Sequence, residues 1–198
     1  MKKQTTLEIV SVLALVLGAV AYRVILGEFG GSSGWLPNFS PMAALVFCGA
    51  IFLPWRAGLL LPAAILLVSD VILNRHFGAP LFDSSMLVRY VALASLAGAG
   101  LWLGRNPKPA PILAGSLAGS LVFYVTTNTA SWLMLDGYSK NFAGWVQALT
   151  TGLPGYQPQT WVFFRNSVVS DLLFTMLILL CVSAARENAR EERMLAAS

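Results

Sequence analysis

The residues that could do chemistry in this chain stand out because their neighbours are apolar. Asp70 lies within ILLVSDVIL and Asp171 within VVSDLLF. Arg89 sits in SSMLVRYVAL, Arg165 and Asn166 in WVFFRNSVV, Asn128 in VTTNTA, and Arg23 ends an apolar run. Asn38 opens another run just before Phe39-Ser40-Pro41, and Trp132 follows Asn128 by about one helical turn. Side-chain amides supply paired donors and acceptors. Guanidinium groups hold anions, and an indole covers an apolar or ring face. The aspartates balance the arginines or bind an amine. A charged side chain at bilayer depth costs about 2.5–3.5 kcal/mol on insertion scales, so it persists facing a bundle interior, a wet cavity or an opposite charge. Two readings follow. Asn38, Asp70, Arg89, Asn128, Arg165, Asn166 and Asp171 line an outward-opening pocket with Arg23 and Trp132 at its rim. Alternatively, the arginines pair with the aspartates or snorkel to headgroups in a purely structural network.

Catalytic signatures fail on inspection. Gly31-Ser32-Ser33-Gly34 fits the GxSG string of rhomboid proteases, but it lies in a loop, and the one histidine, His76, stands in another. A serine nucleophile needs a positioned base. No HExxH, Walker loop or GxGxxG occurs, so neither an enzyme nor a resident cofactor is expected. Cys48 and Cys181 lie far apart in apolar runs with no completing ligands, and read as reduced, buried thiols with no metal site.

The elements that must position these residues are membrane helices. Of 198 residues, 57% are hydrophobic and only 11% charged, with a mean hydropathy of +0.69. A soluble domain carries about 25% charged residues. The expected fold is therefore all-α: a single integral membrane domain over 1–198, with six transmembrane helices in one bundle. The apolar segments fall at about 7–26, 36–54, 57–74, 86–104, 110–135 and 161–184. Pro62 breaks the third, and the second is short unless it starts near Leu36. A stretch from Phe142 to Leu153 is too short to span and reads as interfacial or re-entrant. The charged tail, 185–198, reads as a helical extension. Lys2 and Lys3 precede a first segment expected to stay as an anchor rather than be cleaved.

With six crossings, both termini share a side with Lys2, Lys3, Arg56, Arg105, Lys108, Arg186, Arg190 and Arg193. That is most of the cations, and it puts both termini in the cytoplasm of a bacterial inner membrane. The net charge of +4 is then a topology signal, and no nucleic-acid partner is expected. In this orientation the polar residues named above all fall in the outer leaflet. Helical spacing puts Tyr124, Asn128 and Ser131 on one face, Ser167, Asp171 and Thr175 on another, and Asp70 one turn from Asn74. Small residues supply packing stripes: Gly115 and Gly119 as GxxxG, Ala14 and Gly18, and the cluster Gly98, Gly100 and Gly104.

Several strings in order carry a family likeness. They are Pro37-Asn38-Phe39-Ser40-Pro41-Met42-Ala43-Ala44, Leu61-Pro62 with Ser69-Asp70, and Gly115-Ser116-Leu117-Ala118-Gly119-Ser120 leading to Thr127-Asn128 and Trp132. Arg165-Asn166 with Asp171-Leu172 completes them. Over about residues 10–180 the chain resembles a bacterial family of uncharacterised transport proteins. That family in turn resembles the substrate-binding (S) components of energy-coupling-factor vitamin transporters. The resemblance implies a six-helix bundle that takes a vitamin or similar solute from the outer face. It also implies a transmembrane coupling protein with two ATPases as partner, or a solitary transporter. Small residues on the first helix contact the coupling protein in that family, and Ala14 and Gly18 are the counterparts here. The function expected is membrane transport by capture of a small polar solute. The alternatives are a ligand-free membrane scaffold or assembly partner and, third, an intramembrane enzyme.

Overall fold

The computed structural model describes residues 17–18, 20–25, 38–82, 84–155 and 158–196. Among these residues the chain is helical with no strand. The helices are α1 (Met42–Phe52), α2 (Trp55–His76), α3 (Ser84–Leu103), α4 (Pro109–Met134), α5 (Phe142–Leu149) and α6 (Thr160–Ala196). Residues 20–25 form a further helical stretch ahead of them. Ala14, and most of the expected first span, lie outside the described residues.

Four helices, α2, α3, α4 and α6, are long and apolar enough to cross a membrane. Their surfaces agree: only 17–33% of each spanning window is buried inside the protein. Leu60, Leu87, Trp102, Leu121 and Leu180 point outward, an apolar surface that a water-soluble monomer would not carry. This is a membrane protein.

The second segment takes the shorter of its two expected forms. Within the expected 36–54, the helix covers only Met42–Phe52, about 16 Å at 1.5 Å per residue, against a hydrocarbon core of about 30 Å. Its ends are set locally. Pro54 disfavours a helical Leu53, which is extended at φ −99°, ψ 159°. At the other end Asn38 adopts a left-handed backbone, φ 61°, and the Ser40 hydroxyl accepts the Met42 N–H at 3.3 Å. A short helix survives at this depth because it touches protein instead of lipid. Eight of its eleven residues are buried, and α2, α3, α4 and α6 all pack on it, so its open ends meet protein groups.

Small residues allow that packing. A Cβ on Gly49 would lie 3.1 Å from the Gly58 carbonyl oxygen, and one on Gly100 only 2.6 Å from that of Phe47. Thus α1 presses directly against α2 and α3. The Gly115/Gly119 stripe also packs within the chain, Gly115 against Phe47 and Leu103 and Gly119 against Leu96. Gly98 faces open space. Phe47, Cys48, Ile65 and Ile112 form the centre of the core, each at most 2% exposed.

A correction concerns Pro62. It does not break the third segment: α2 runs through it to His76. The ring removes one backbone bond, but Pro62 is buried among neighbours, where membrane helices tolerate proline. The stretch expected to be interfacial or re-entrant forms a short helix. α5 is eight residues long, capped by Asn141, whose Oδ1 accepts the Gly144 N–H at 2.9 Å. It is tied to α4 by Trp145 Nε1 donating to Thr129 Oγ1 at 2.9 Å and by the Tyr124 hydroxyl donating to the Leu149 carbonyl at 2.5 Å. Finally, α6 has 37 residues, about 55 Å, so the charged tail continues the last spanning helix as far as Ala196. The Arg186 guanidinium lies 5.8 Å from the Phe52 ring centroid. The tail end of α6 and the α1–α2 corner therefore share one end of the bundle.

Candidate functional site

Each long helix turns a narrow stripe inward. On α2 it is Gly58, Pro62, Ile65, Leu66, Ser69 and Asp70. On α4 it is Ile112, Ser116, Ser120 and Tyr124, a strict four-residue step. On α6 the buried polar residues are Asn166, Ser170, Asp171 and Thr175. This spacing delivers both aspartates to the interior.

Asp70 is the hub of a polar tie. Its Oδ1 lies 2.6 Å from Arg23 Nη2, and its Oδ2 accepts the Tyr90 hydroxyl at 3.2 Å. Arg89 Nη2 approaches Oδ2 at 4.0 Å. Arg23 also donates through Nη1 to Ser69 Oγ and to the Leu66 carbonyl. The tie joins the 20–25 stretch, α2 and α3. Asp70 is 4% exposed in its side chain, Arg23 17% and Arg89 37%. Although Arg89 reaches the surface, its Nε is buried and has no hydrogen-bond partner.

Asp171 is as buried, 4% exposed, but its surroundings differ. Its Oδ2 accepts the Ser120 hydroxyl at 2.6 Å. One turn along both helices, Ser116 Oγ and Thr175 Oγ1 are 3.0 Å apart. The antiparallel α4–α6 seam is thus a ladder of hydroxyls with one carboxylate. Among the described residues no cation forms a salt bridge with Asp171.

These two clusters meet at a cavity of about 130 Å³. Its polar wall is Arg23, Asn38, Ser40, Asp70, Arg89, Tyr90, Ser167 and Asp171, and its apolar floor is Met42, Ala43, Leu66, Leu93 and Phe123. Asn, which tolerates the left-handed backbone better than most residues, occupies position 38 at the lip.

Of the nine residues expected to bind solute, the cavity collects Arg23, Asn38, Asp70, Arg89 and Asp171. The other four lie elsewhere. Asn128 donates through Nδ2 to the Tyr124 carbonyl of its own helix at 2.8 Å. Trp132 donates to the Ser139 carbonyl at 2.9 Å in the turn after α4. Arg165 is exposed, 5.5 Å from the Trp161 ring centroid, and donates through Nε to Asn166 Oδ1 at 3.1 Å. Asn166 is buried beside it. Tyr90, Ser40 and Ser167 join the cavity although they were not selected. Ser167 was legible, one turn before Asp171 on the same face, and Tyr90 was hidden beside the more conspicuous Arg89. Cys48 lies 4.0 Å from Thr175 Oγ1, off the cavity. Gly18 is exposed, and a Cβ there would meet nothing within 4 Å. Among the described residues no group of His, Cys, Asp or Glu could hold a metal ion.

Membrane helices around a small charged cavity define the class of the molecule. The chain belongs to a family of unknown function, DUF6580, which it matches over residues 3–193. No curated protein and no solved structure matches it.

Proposed function

We propose that this membrane protein captures a small polar solute in the cavity between Arg23, Asp70, Arg89 and Asp171, as the substrate-binding component of a transport system does. One observation carries the reading: Arg89 lines the cavity, and its buried Nε–H has no acceptor among the described residues. A buried donor left unmade costs about 1–3 kcal/mol, and an occupant would satisfy it. The apolar floor and charged wall suit a solute with a small hydrocarbon part and polar ends.

In this reading the chain crosses six times, α1 and its non-helical flanks together making the second crossing, with both termini cytoplasmic in the bacterial inner membrane. The basic residues Arg56, Arg105 and Arg186 support it, since Arg186 and the α1–α2 corner share one end. The cavity then opens to the outer face. The exposed small residue Gly18 is available to a transmembrane coupling protein with its ATPases, and no enzymatic step is required.

The test is native mass spectrometry of the detergent-purified protein beside Ala43→Trp, which fills the floor. A small-molecule adduct on the wild type that the variant lacks is expected. No adduct on either protein would favour the competing reading, a scaffold whose Asp70 tie only holds helices together.

A further inference from the structure

Charges inside a bilayer need compensation, so each charge bordering the cavity can be matched with its partners. Asp70 is satisfied on both oxygens, by Arg23 and by Tyr90. Arg23 is satisfied by Asp70, Ser69 and Leu66. Two groups remain. Arg89 touches Asp70 only at 4.0 Å and leaves Nε unpaired. Asp171 has a single hydroxyl and, among the described residues, no cation. One remaining charge is positive, on α3, and the other negative, on α6. The helices α1 and α4 each pack against both, and both side chains border the same cavity.

Building on the solute-capture reading, we infer that the occupant is a small zwitterion whose anionic end pairs with Arg89 and whose ammonium end pairs with Asp171. An anion alone would leave Asp171 as a bare carboxylate in the membrane. A cation alone would leave the Arg89 donor unmade. The cavity is small, about 130 Å³, which suits a short amino acid. The apolar floor of Met42, Leu93 and Phe123 would meet the methylenes between the two charged ends.

The experiment is isothermal titration of the full-length protein, purified in detergent and stripped of any adduct by dialysis. The probes are glycine, β-alanine, γ-aminobutyrate and 5-aminopentanoate, with propionate and propylamine as half-molecules. One zwitterion of the series should bind at least tenfold more tightly than either half-molecule. Asp171→Asn and Arg89→Gln should each weaken that probe about thirtyfold or more, as expected when one partner of a buried charge pair is removed. The wild-type comparison stands without either variant, should one fail to fold. Propionate binding as well as every zwitterion, with Asp171→Asn unaffected, would overturn the inference while keeping the pocket. A native-mass-spectrometry adduct lost in Ala43→Trp, with no zwitterion bound, would do the same. No adduct and no bound probe would overturn the inference and the capture reading together.

Discussion

The same dipeptide, Ser-Asp, occurs in the middle of two membrane helices and does two different things. At Ser69-Asp70 the carboxylate is closed: two arginines and a tyrosine surround it, and Ser69 accepts from one of the arginines. At Ser170-Asp171 it is open. Ser170 turns its hydroxyl to the Ser167 carbonyl at 3.0 Å, and among the described residues Asp171 has only the Ser120 hydroxyl. Burial is nearly identical, 3% for Asp70 and 4% for Asp171. Burial therefore does not distinguish the two carboxylates. What distinguishes them is whether the charge is already matched.

The contrast is broken most directly at Asp70. Asp70→Asn would strand Arg23, and loss of one partner from a buried pair typically costs about 3–5 kcal/mol. We expect the variant to melt far earlier than the wild type in detergent, or to aggregate on size-exclusion chromatography. A melting temperature within a degree or two of wild type would show that Asp70 is not a structural tie.

A smaller effect is expected in the hydroxyl ladder. Thr175→Val keeps the shape and removes the contact with Ser116. Interhelical hydrogen bonds in membranes average about 0.6 kcal/mol, so a slight drop in thermal stability should appear with solute retention intact. A loss as large as that of Asp70→Asn would mean that the α4–α6 seam is as structural as the tie.

The smallest effect belongs to Asn128→Leu. Its amide bonds only within α4 and lies off the cavity. Retention of any adduct and stability should both stay at wild-type levels. Loss of the adduct would place the binding site further outward than the cavity.

Much of the frame was legible in the sequence, because hydropathy and length determine whether a helix can span. The spans around Asp70, Arg89, Asn128 and Asp171 fell within a few residues of α2, α3, α4 and α6. Depth also brought out five cavity residues. What depth cannot give is rotation against a neighbour. Spacing puts Asn128 and Tyr124 on one face of α4, but only packing shows that Tyr124 turns inward to Leu149 and Phe164 while Asn128 bonds its own helix. Partner choice was hidden for the same reason. The sequence leaves open which arginine meets which aspartate, and Arg23 and Arg89 both approach Asp70. The short α1 was legible as the shorter of two readings, and backbone geometry at Pro54 and Asn38 decides between them.

The central claim is that Asp171 is the open charge of a solute-binding cavity. Native mass spectrometry of Asp171→Asn beside the wild type tests it most directly, because the amide keeps an acceptor for Ser120 and the variant should fold. The account predicts that the variant elutes as a single species like the wild type but without the wild-type adduct. A folded Asp171→Asn that carries the same adduct in the same amount would contradict it.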